Sequence, residues 1–175
     1  MRWIRLLQSL LSSRFRGKLA ITETSTIKFT VWLTDIDASI MNHAAMMTVF
    51  EAGRLDLMVR TGFFKKAREK NWYFPSTSVS VQFFRPLKAF QRALLTTRVF
   101  HVDEQFIYTE QKIIRRGKDI AICIVKSKVK SGKENVPTGE IIKLLNADKI
   151  PKESKELIEL FEKQDAAFKN KICIQ

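Results

Sequence analysis

Residues 33–62 decide the fold, and they read LTDIDASIMNHAAMMTVFEAGRLDLMVRTG. A loop that contains Asp35 and Asp37 leads into a segment that is apolar on nearly every helical face. Asn42 suits an N-cap, and Gly62 suits the left-handed residue that follows a helix end. A helix that is apolar nearly all round is buried, and about 20 residues span about 30 Å. The remaining chain is therefore expected to wrap around this helix.

Strand patterns lie on both sides of the helix. Apolar residues alternate with polar ones in residues 27–33, and a period of two returns after Trp72. The long strands predicted after the helix cover residues 79–86, 94–102, 106–114 and 120–129, with a Gly-containing tight turn at residues 115–118. Further helices are predicted at residues 63–70, 139–147 and 151–169, where Pro151 suits a first helical turn. This order predicts an α+β fold, in which one long antiparallel β-sheet wraps around a central α-helix with peripheral N- and C-terminal helices.

The chain divides into a basic amphipathic segment (residues 1–20), a main domain (21–136) and a C-terminal helical extension (137–175). In the first segment, Leu6, Leu7, Leu10 and Leu11 follow helical spacing among several arginines. A segment of this kind, residues 1–18, binds an anionic membrane surface or packs as a helix on the body of the protein or on a second subunit. Both alternatives stay open at this point.

The net charge of +13 on 175 residues bears on the partners more than on the fold. It favours nucleotide-containing ligands, acidic carrier proteins, nucleic acid or anionic lipid, and it is equally consistent with a solvated basic surface. Nucleic acid is disfavoured, because the aromatic residues follow a core pattern and do not alternate with Lys and Arg as a stacking platform would. Cys123 and Cys173 lack metal-ligand spacing, which indicates a reducing, cytoplasmic compartment with no disulfide framework.

Three short motifs and a strand end carry a family resemblance. They are Thr34-Asp35-Ile36-Asp37, Met41-Asn42-His43-Ala44, Phe50-Glu51-Ala52-Gly53-Arg54 and Phe83-Phe84-Arg85-Pro86-Leu87. In this order they resemble the hotdog-fold acyl-CoA thioesterase superfamily, in its 4-hydroxybenzoyl-CoA thioesterase-like branch, over residues 27–130. The resemblance implies hydrolysis of thioesters of coenzyme A or acyl carrier protein, with no metal or redox cofactor. It also implies a homodimer or dimer of dimers, whose sheets join edge to edge and whose active sites lie at the interface near the start of the central helix.

The same resemblance assigns the catalytic residues. Asp37 matches the catalytic carboxylate that activates water or attacks the thioester, whereas Asp35 is expected to organise the loop. Asn42 either orients the carbonyl or caps the helix, and His43 either transfers a proton or simply makes hydrogen bonds. Glu51 is a catalytic carboxylate in some branches, although here an ion pair with Arg54 one turn away is favoured.

Basic and apolar side chains are candidates for holding the substrate. Arg85 and Lys88, with Lys126, Lys128 and Lys130 alternating on the last strand, could bind coenzyme A phosphates or an acidic carrier; the alternative is a charged strand face that keeps the sheet soluble. Met46 and Phe50 could line an acyl pocket, although their helical spacing favours core packing.

Two positions depart from the family pattern. Ile40 stands where many relatives have His, and Ala38 and Ser39 stand where others have Gly after the catalytic Asp. These departures motivate a second hypothesis, a hotdog dimer that binds acyl-CoA or lipid without hydrolysing it. A membrane contact through residues 1–18 is compatible with either hypothesis.

Overall fold

The computed structural model of the protein describes residues 2–145, 147 and 155–172. The long elements are α1 (Arg2–Arg14), β1 (Ser25–Thr30), α2 (His43–Arg60), α3 (Phe63–Glu69), β5 (Ser76–Phe83), β6 (Arg92–Val102), β7 (Ile107–Arg115), β8 (Lys118–Ser127), α4 (Thr138–Leu144) and α5 (Lys155–Ile172). Two-residue strands complete the set: β2 (Ile36–Asp37), β3 (Ile40–Met41), β4 (Trp72–Tyr73), β9 (Lys130–Ser131) and β10 (Glu134–Asn135). No helix within the described ranges has both the length and the hydrophobicity needed to cross a membrane.

The main sheet has five antiparallel strands in the order β1-β6-β7-β8-β5. Alternation of apolar residues gives each strand one buried face, and these faces pack with α2 in a single core cluster that includes Val49, Phe50, Leu95 and Ile113. Consecutive strands β6, β7 and β8 are hairpin neighbours, and Arg116 and Gly117 both have positive φ in the tight turn between β7 and β8. The predicted α+β hotdog arrangement, with one antiparallel sheet around a central helix, is confirmed.

Both predicted ends of α2 are confirmed. The Asn42 side chain accepts a hydrogen bond from the Ala45 N–H at 2.6 Å, so it caps the helix. Gly62 has a φ of 76° directly after the C-cap residue, Thr61, which is the left-handed conformation expected there. Helix α3 then follows as the predicted basic continuation of α2.

Helix α2 approaches the sheet closely at Gly53. A Cβ atom added there would lie 2.5 Å from a Leu95 side-chain atom and 2.6 Å from the Thr97 hydroxyl oxygen. The Gln111 side chain lies in the same contact, where it donates to the Phe50 carbonyl oxygen at 2.7 Å and to the Thr97 hydroxyl at 3.1 Å. Only a residue without a side chain allows this spacing, so Gly53 fixes how deeply the central helix sits against the sheet.

Helix α1 packs on α2, so the structure places the described part of the N-terminal segment on the body of the protein. The contact centres on Asp56, a fully buried carboxylate on α2. Asp56 accepts hydrogen bonds from the Ser13 and Ser25 hydroxyls and from the Arg16 guanidinium, and Arg60 lies 3.6 Å away. Since a buried charge needs such partners, Asp56 ties α1 and β1 to the central helix.

Helix α5 covers the opposite face of the sheet. Phe161 is buried there against Phe100 and Tyr108, with Ile158 packed beside them, whereas Leu160 is exposed. Only part of the apolar surface of this helix therefore packs on the sheet. The Pro151 and Cys173 predictions fall outside the described residues.

A second, small sheet corrects the prediction for residues 128–137. Strand β8 ends at Ser127, and β9 pairs with both β4 and β10. Lys130 therefore lies in β9, so the prediction that Lys126, Lys128 and Lys130 share one face of a single strand is wrong. Residues 131–137 also contain the β10 strand.

Candidate functional site

The Asp-x-Asp segment forms a short hairpin rather than an irregular loop. Strand β2 pairs with β3, so that Asp37 lies opposite Ile40. Ala38, the first residue of the turn, has a φ of 56°, a left-handed conformation that L-amino acids other than Asn and Asp seldom adopt. The Asp37 side chain is exposed at the end of this hairpin, and its carboxylate is open to solvent and ligand.

Buried hydrogen bonds hold the hairpin in place. Asp35 is buried, and its carboxylate accepts from the Trp32 N–H at 2.9 Å, which matches its predicted structural role. Its backbone carbonyl accepts from the Asn42 N–H at 2.8 Å, and the Met41 N–H donates to the Leu87 carbonyl at 2.7 Å. The hairpin is therefore fixed at both ends, and it delivers the chain directly to the start of α2.

The first turn of α2 begins directly after the hairpin, where the Asn42 N–H is bound to the Asp35 carbonyl. Its first intrahelical bond runs from the Met46 N–H to the Asn42 carbonyl, and the N–H groups of His43 and Ala44 precede that bond. The His43 ring packs on Phe83, at the end of β5, with ring centroids 4.6 Å apart. This contact places the hairpin, the helix N-terminus and the β5 edge of the sheet next to one another.

Glu51 lies on α2, about 13 Å along the helix axis from Asn42. Arg54, one turn further, donates to the Gln111 side-chain oxygen at 2.9 Å. Burial lowers the pKa of Arg54, while the nearby Cys123 and Glu51 act in the opposite direction. Gln111 is thus a partner of Arg54 that sequence reasoning did not identify.

The predicted phosphate-binding residues separate into two groups. Arg85 and Lys88 flank Leu87, whose carbonyl holds the hairpin, so both lie near Asp37 and both are exposed. The Arg85 guanidinium donates to the Asp119 carbonyl at 2.6 Å, which fixes its position at this end of the sheet.

Lys126 lies toward the other end of the sheet. It pairs in register with Ser78, whereas Phe83 pairs with Ala121, a separation of roughly 17 Å along the strand. Its ammonium is buried, bound to the Asp165 carboxylate at 2.6 Å and packed over the Phe106 ring, which Lys128 also contacts. The expectation of an open charged face is wrong for Lys126, because α5 covers it, and this geometry does not favour a phosphate contact there.

Met46 and Phe50 are buried in the main core, and they line none of the described cavities. Their packing agrees with the core interpretation. Burial also raises the pKa of the Cys123 thiol to about 11, so this cysteine is a protonated core residue at neutral pH and a poor nucleophile.

Comparison with protein families identifies one match. The Thioesterase-like superfamily matches residues 31–148, which includes the hairpin, α2 and the four long strands that follow. Among curated proteins, Protein THEM6 of Drosophila melanogaster is 23% identical over 133 residues, covering 75% of this chain and 66% of that protein. The chain thus spans slightly less than two thirds of that relative.

Solved structures share the fold. A hypothetical protein from Thermus thermophilus matches with a TM-score of 0.65 and 17% identity, covering 73% of this chain and 99% of its own. The 1,4-dihydroxy-2-naphthoyl-CoA thioesterase from Synechocystis matches with a TM-score of 0.61 and 13% identity, over 72% and 97%. A probable thioesterase from Bartonella henselae matches with a TM-score of 0.59 and 21% identity, over 66% and 97%. At these identities the similarity shows the fold alone.

Proposed function

The chain belongs to the thioesterase-like superfamily, and from that membership we propose that it hydrolyses an acyl thioester of coenzyme A or acyl carrier protein to a free acid and a thiol. The observation that carries this proposal is the exposed Asp37 carboxylate on a hairpin whose two ends are fixed and which leads directly into the first turn of α2. Such an arrangement offers a base or nucleophile and an electropositive group at one place.

In the proposed reaction, Asp37 takes a proton from water, and the resulting hydroxide adds to the thioester carbonyl carbon. The N–H groups at the start of α2 stabilise the negative charge that develops on the carbonyl oxygen. The C–S bond then breaks, and the thiolate leaves and takes up a proton. Direct attack by Asp37, which would form an anhydride that water then hydrolyses, remains the alternative for the first step.

Asn42 and His43 would position the substrate. The Asn42 oxygen is engaged in the helix cap, which leaves its amino group as the donor that could reach a carbonyl. His43 is exposed and packed on Phe83, where it could transfer a proton to the leaving thiolate. Arg85 and Lys88 would face the phosphates of coenzyme A or the acidic surface of a carrier protein, because both are exposed beside the same hairpin.

A second copy of the chain would complete the site. Strand β5 ends the sheet, and Val79 and Phe83 are exposed on it, which makes it the edge suited to strand pairing. Since His43 contacts Phe83, a copy added at β5 would lie next to the start of α2. The proposed active site would then lie at the dimer interface.

The test is thiol release from short-chain, long-chain and aromatic acyl-CoA esters, with Asp37→Asn run in parallel. Loss of the base is expected to lower kcat by about 10²- to 10⁴-fold. Glu134→Gln, an exposed carboxylate on β10, is the control and should leave kcat unchanged. Activity of Asp37→Asn equal to that of the control would remove Asp37 from the mechanism.

The second candidate function is binding of acyl-CoA without turnover. It is favoured by Ile40, an exposed apolar residue opposite Asp37 where many relatives carry His. Saturable binding of acyl-CoA by the folded protein, with no thiol released from any ester in the panel, would select this function over hydrolysis.

A further inference from the structure

Two groups of exposed large apolar residues lie at the edges of the sheet, apart from others such as Leu160 and Phe168 on α5. One set, which includes Ile40, Val79 and Phe83, lies at the β5 edge and is accounted for by the proposed second copy. The other set borders the opposite edge, β1, and consists of Leu7, Leu11, Phe15, Trp32, Leu33, Phe90 and Leu94. We propose that this second set, together with the basic groove beside it, binds an anionic phospholipid membrane; we call the whole the β1 surface.

Helix α1 has one face packed on the body of the protein and exposed apolar side chains on another. Ser13 faces the body of the protein, where it bonds Asp56. Leu7 and Leu11 lie one helical turn apart on α1, and Phe15, in the turn just after the helix, continues this apolar stripe and is 89% exposed. A stripe of this size that nothing in the described chain covers is the part of an interfacial helix that enters the acyl boundary of a bilayer.

An open groove of about 890 Å³ runs along β1, between this strand and α1. Its floor is apolar, with Ile27, Phe29 and Val49 among the residues that form it. Its basic lining residues come from four separate parts of the chain, and they are Arg16, Lys28, Arg92, Arg115 and Arg116. Among the described residues that line the groove, none is Asp or Glu, so the groove is suited to an anionic head group above an apolar chain.

Two aromatic side chains stand at the end of the groove. Trp32 and Phe90 pack edge to face with ring centroids 6.5 Å apart, and both are more than half exposed. The Phe90 N–H donates to the Val31 carbonyl at 2.7 Å and the Val31 N–H donates to the Gln91 carbonyl at 3.0 Å, so both aromatics are presented on fixed backbone. Phe90 also has a φ of 61°, an outlier for a bulky residue that these contacts maintain. Amphipathic aromatic rings of this kind favour the head-group region of a membrane.

The combination favours a membrane over other polyanions. Phosphates of nucleic acid or of a soluble ligand would explain the arginines, but they would leave Leu7, Leu11 and Phe15 exposed to water. A lipid surface accounts for both the charges and the apolar stripe. The β1 surface also lies at the opposite edge of the sheet from β5, so membrane contact and pairing at β5 do not compete.

The experiment is co-sedimentation of the full chain with phosphatidylcholine vesicles, with and without phosphatidylserine. Binding is expected only with phosphatidylserine, and it should weaken as salt screens the charges. The combined variant Arg92→Gln, Arg115→Gln and Arg116→Gln should lower the vesicle affinity on the order of 100-fold. None of these residues belongs to the proposed catalytic machinery, so this outcome is independent of the thioesterase proposal.

A matched control removes three positive charges elsewhere, by Lys133→Gln, Lys143→Gln and Lys163→Gln. These three lysines are exposed and lie outside the β1 surface. This control should bind vesicles within a few-fold of the unchanged chain if the position of the charges matters rather than their number. Equal losses in the two triple variants would overturn the β1 surface in favour of general charge attraction.

The apolar part has its own test. Leu11→Ser with Phe15→Ser should lower vesicle affinity by about tenfold or more, whereas Leu160→Ser with Phe168→Ser, both more than half exposed on α5, should have little effect. Circular dichroism would verify that each variant folds. Absence of vesicle binding by the unchanged chain, or self-association that disappears in the arginine variant, would overturn the proposal, and the latter would assign the β1 surface to a second copy of this chain.

Discussion

The two edges of the main sheet differ in how far the rest of the chain covers them. At β1, the chain supplies its own cover, because α1 packs on α2 and Arg16 binds the backbone carbonyl of Thr26 on the edge strand. The buried Asp56 carboxylate joins this cover to the core. At β5, the sheet simply ends, and the strand Ser76–Phe83 is exposed along most of its length.

This difference indicates which edge of the sheet is available to pair with a strand of another chain. An uncovered edge offers unpaired N–H and C=O groups to another chain, and proteins normally block edges that should stay single. Here α1 limits access to β1, while β5 carries no comparable block in the described chain and lies beside the first turn of α2. The asymmetry therefore supports pairing at β5 and leaves β1 for a partner that does not add a strand.

The largest effect is expected from breaking the closure of the β1 edge. Asp56→Ala removes the acceptor of two serine hydroxyls and leaves Arg16 and Arg60 without their buried partner, so the free energy of unfolding should fall by about 3–5 kcal/mol. Urea unfolding followed by circular dichroism measures this change.

The control for that variant is Asp119→Ala, an exposed carboxylate on β8, which should cost no more than about 0.5 kcal/mol. If the two variants lost similar stability, the Asp56 cluster would not hold the N-terminal segment to the core. The contrast between the two edges would then lose its physical basis.

The next effect is on association at β5. Val79→Lys places a charge on the exposed edge strand, and pairing of two copies would bring two such charges close together. We expect the dimer dissociation constant to rise on the order of 100-fold, with thioesterase activity falling as the dimer is lost. Analytical ultracentrifugation over a concentration series measures the constant.

The same change on the other edge is the matched control. Thr26→Lys adds one exposed charge on β1, and it should leave the association constant unchanged. The opposite result, in which Thr26→Lys dissociates the protein and Val79→Lys does not, would place the second copy at β1.

Sequence periodicity was enough to predict the main helix and the long strands, because these patterns depend on residues close together in the chain. The alternation of apolar and polar residues predicted the long strands. Asn42 and Gly62 predicted the two ends of α2, because capping depends on neighbours within four residues. The hairpin at Asp37 was predicted only as a loop, since two-residue strands leave no periodic pattern to detect.

Contacts between distant residues account for what the sequence did not show. The burial of Asp56 has no local signal in the sequence, because its partners Ser13 and Ser25 lie 43 and 31 positions away. Lys126 looked like an exposed strand lysine, because Asp165 reaches it from α5, 39 positions later. Polar residues that are buried by tertiary contacts carry no local signal, and this limits any prediction of the site's supporting residues.

The smallest effect is expected at the hairpin between the two edges, where Ala38 follows Asp37. A left-handed conformation costs an L-residue about 1–2 kcal/mol, whereas glycine loses about 0.5–1 kcal/mol more chain entropy than alanine on folding. The first quantity is the larger, so Ala38→Gly should stabilise the protein by about 0.5 kcal/mol. Ala166→Gly, exposed within α5, should instead destabilise it by about 1 kcal/mol, and a loss of stability in both variants would show that the φ of 56° at Ala38 carries no strain.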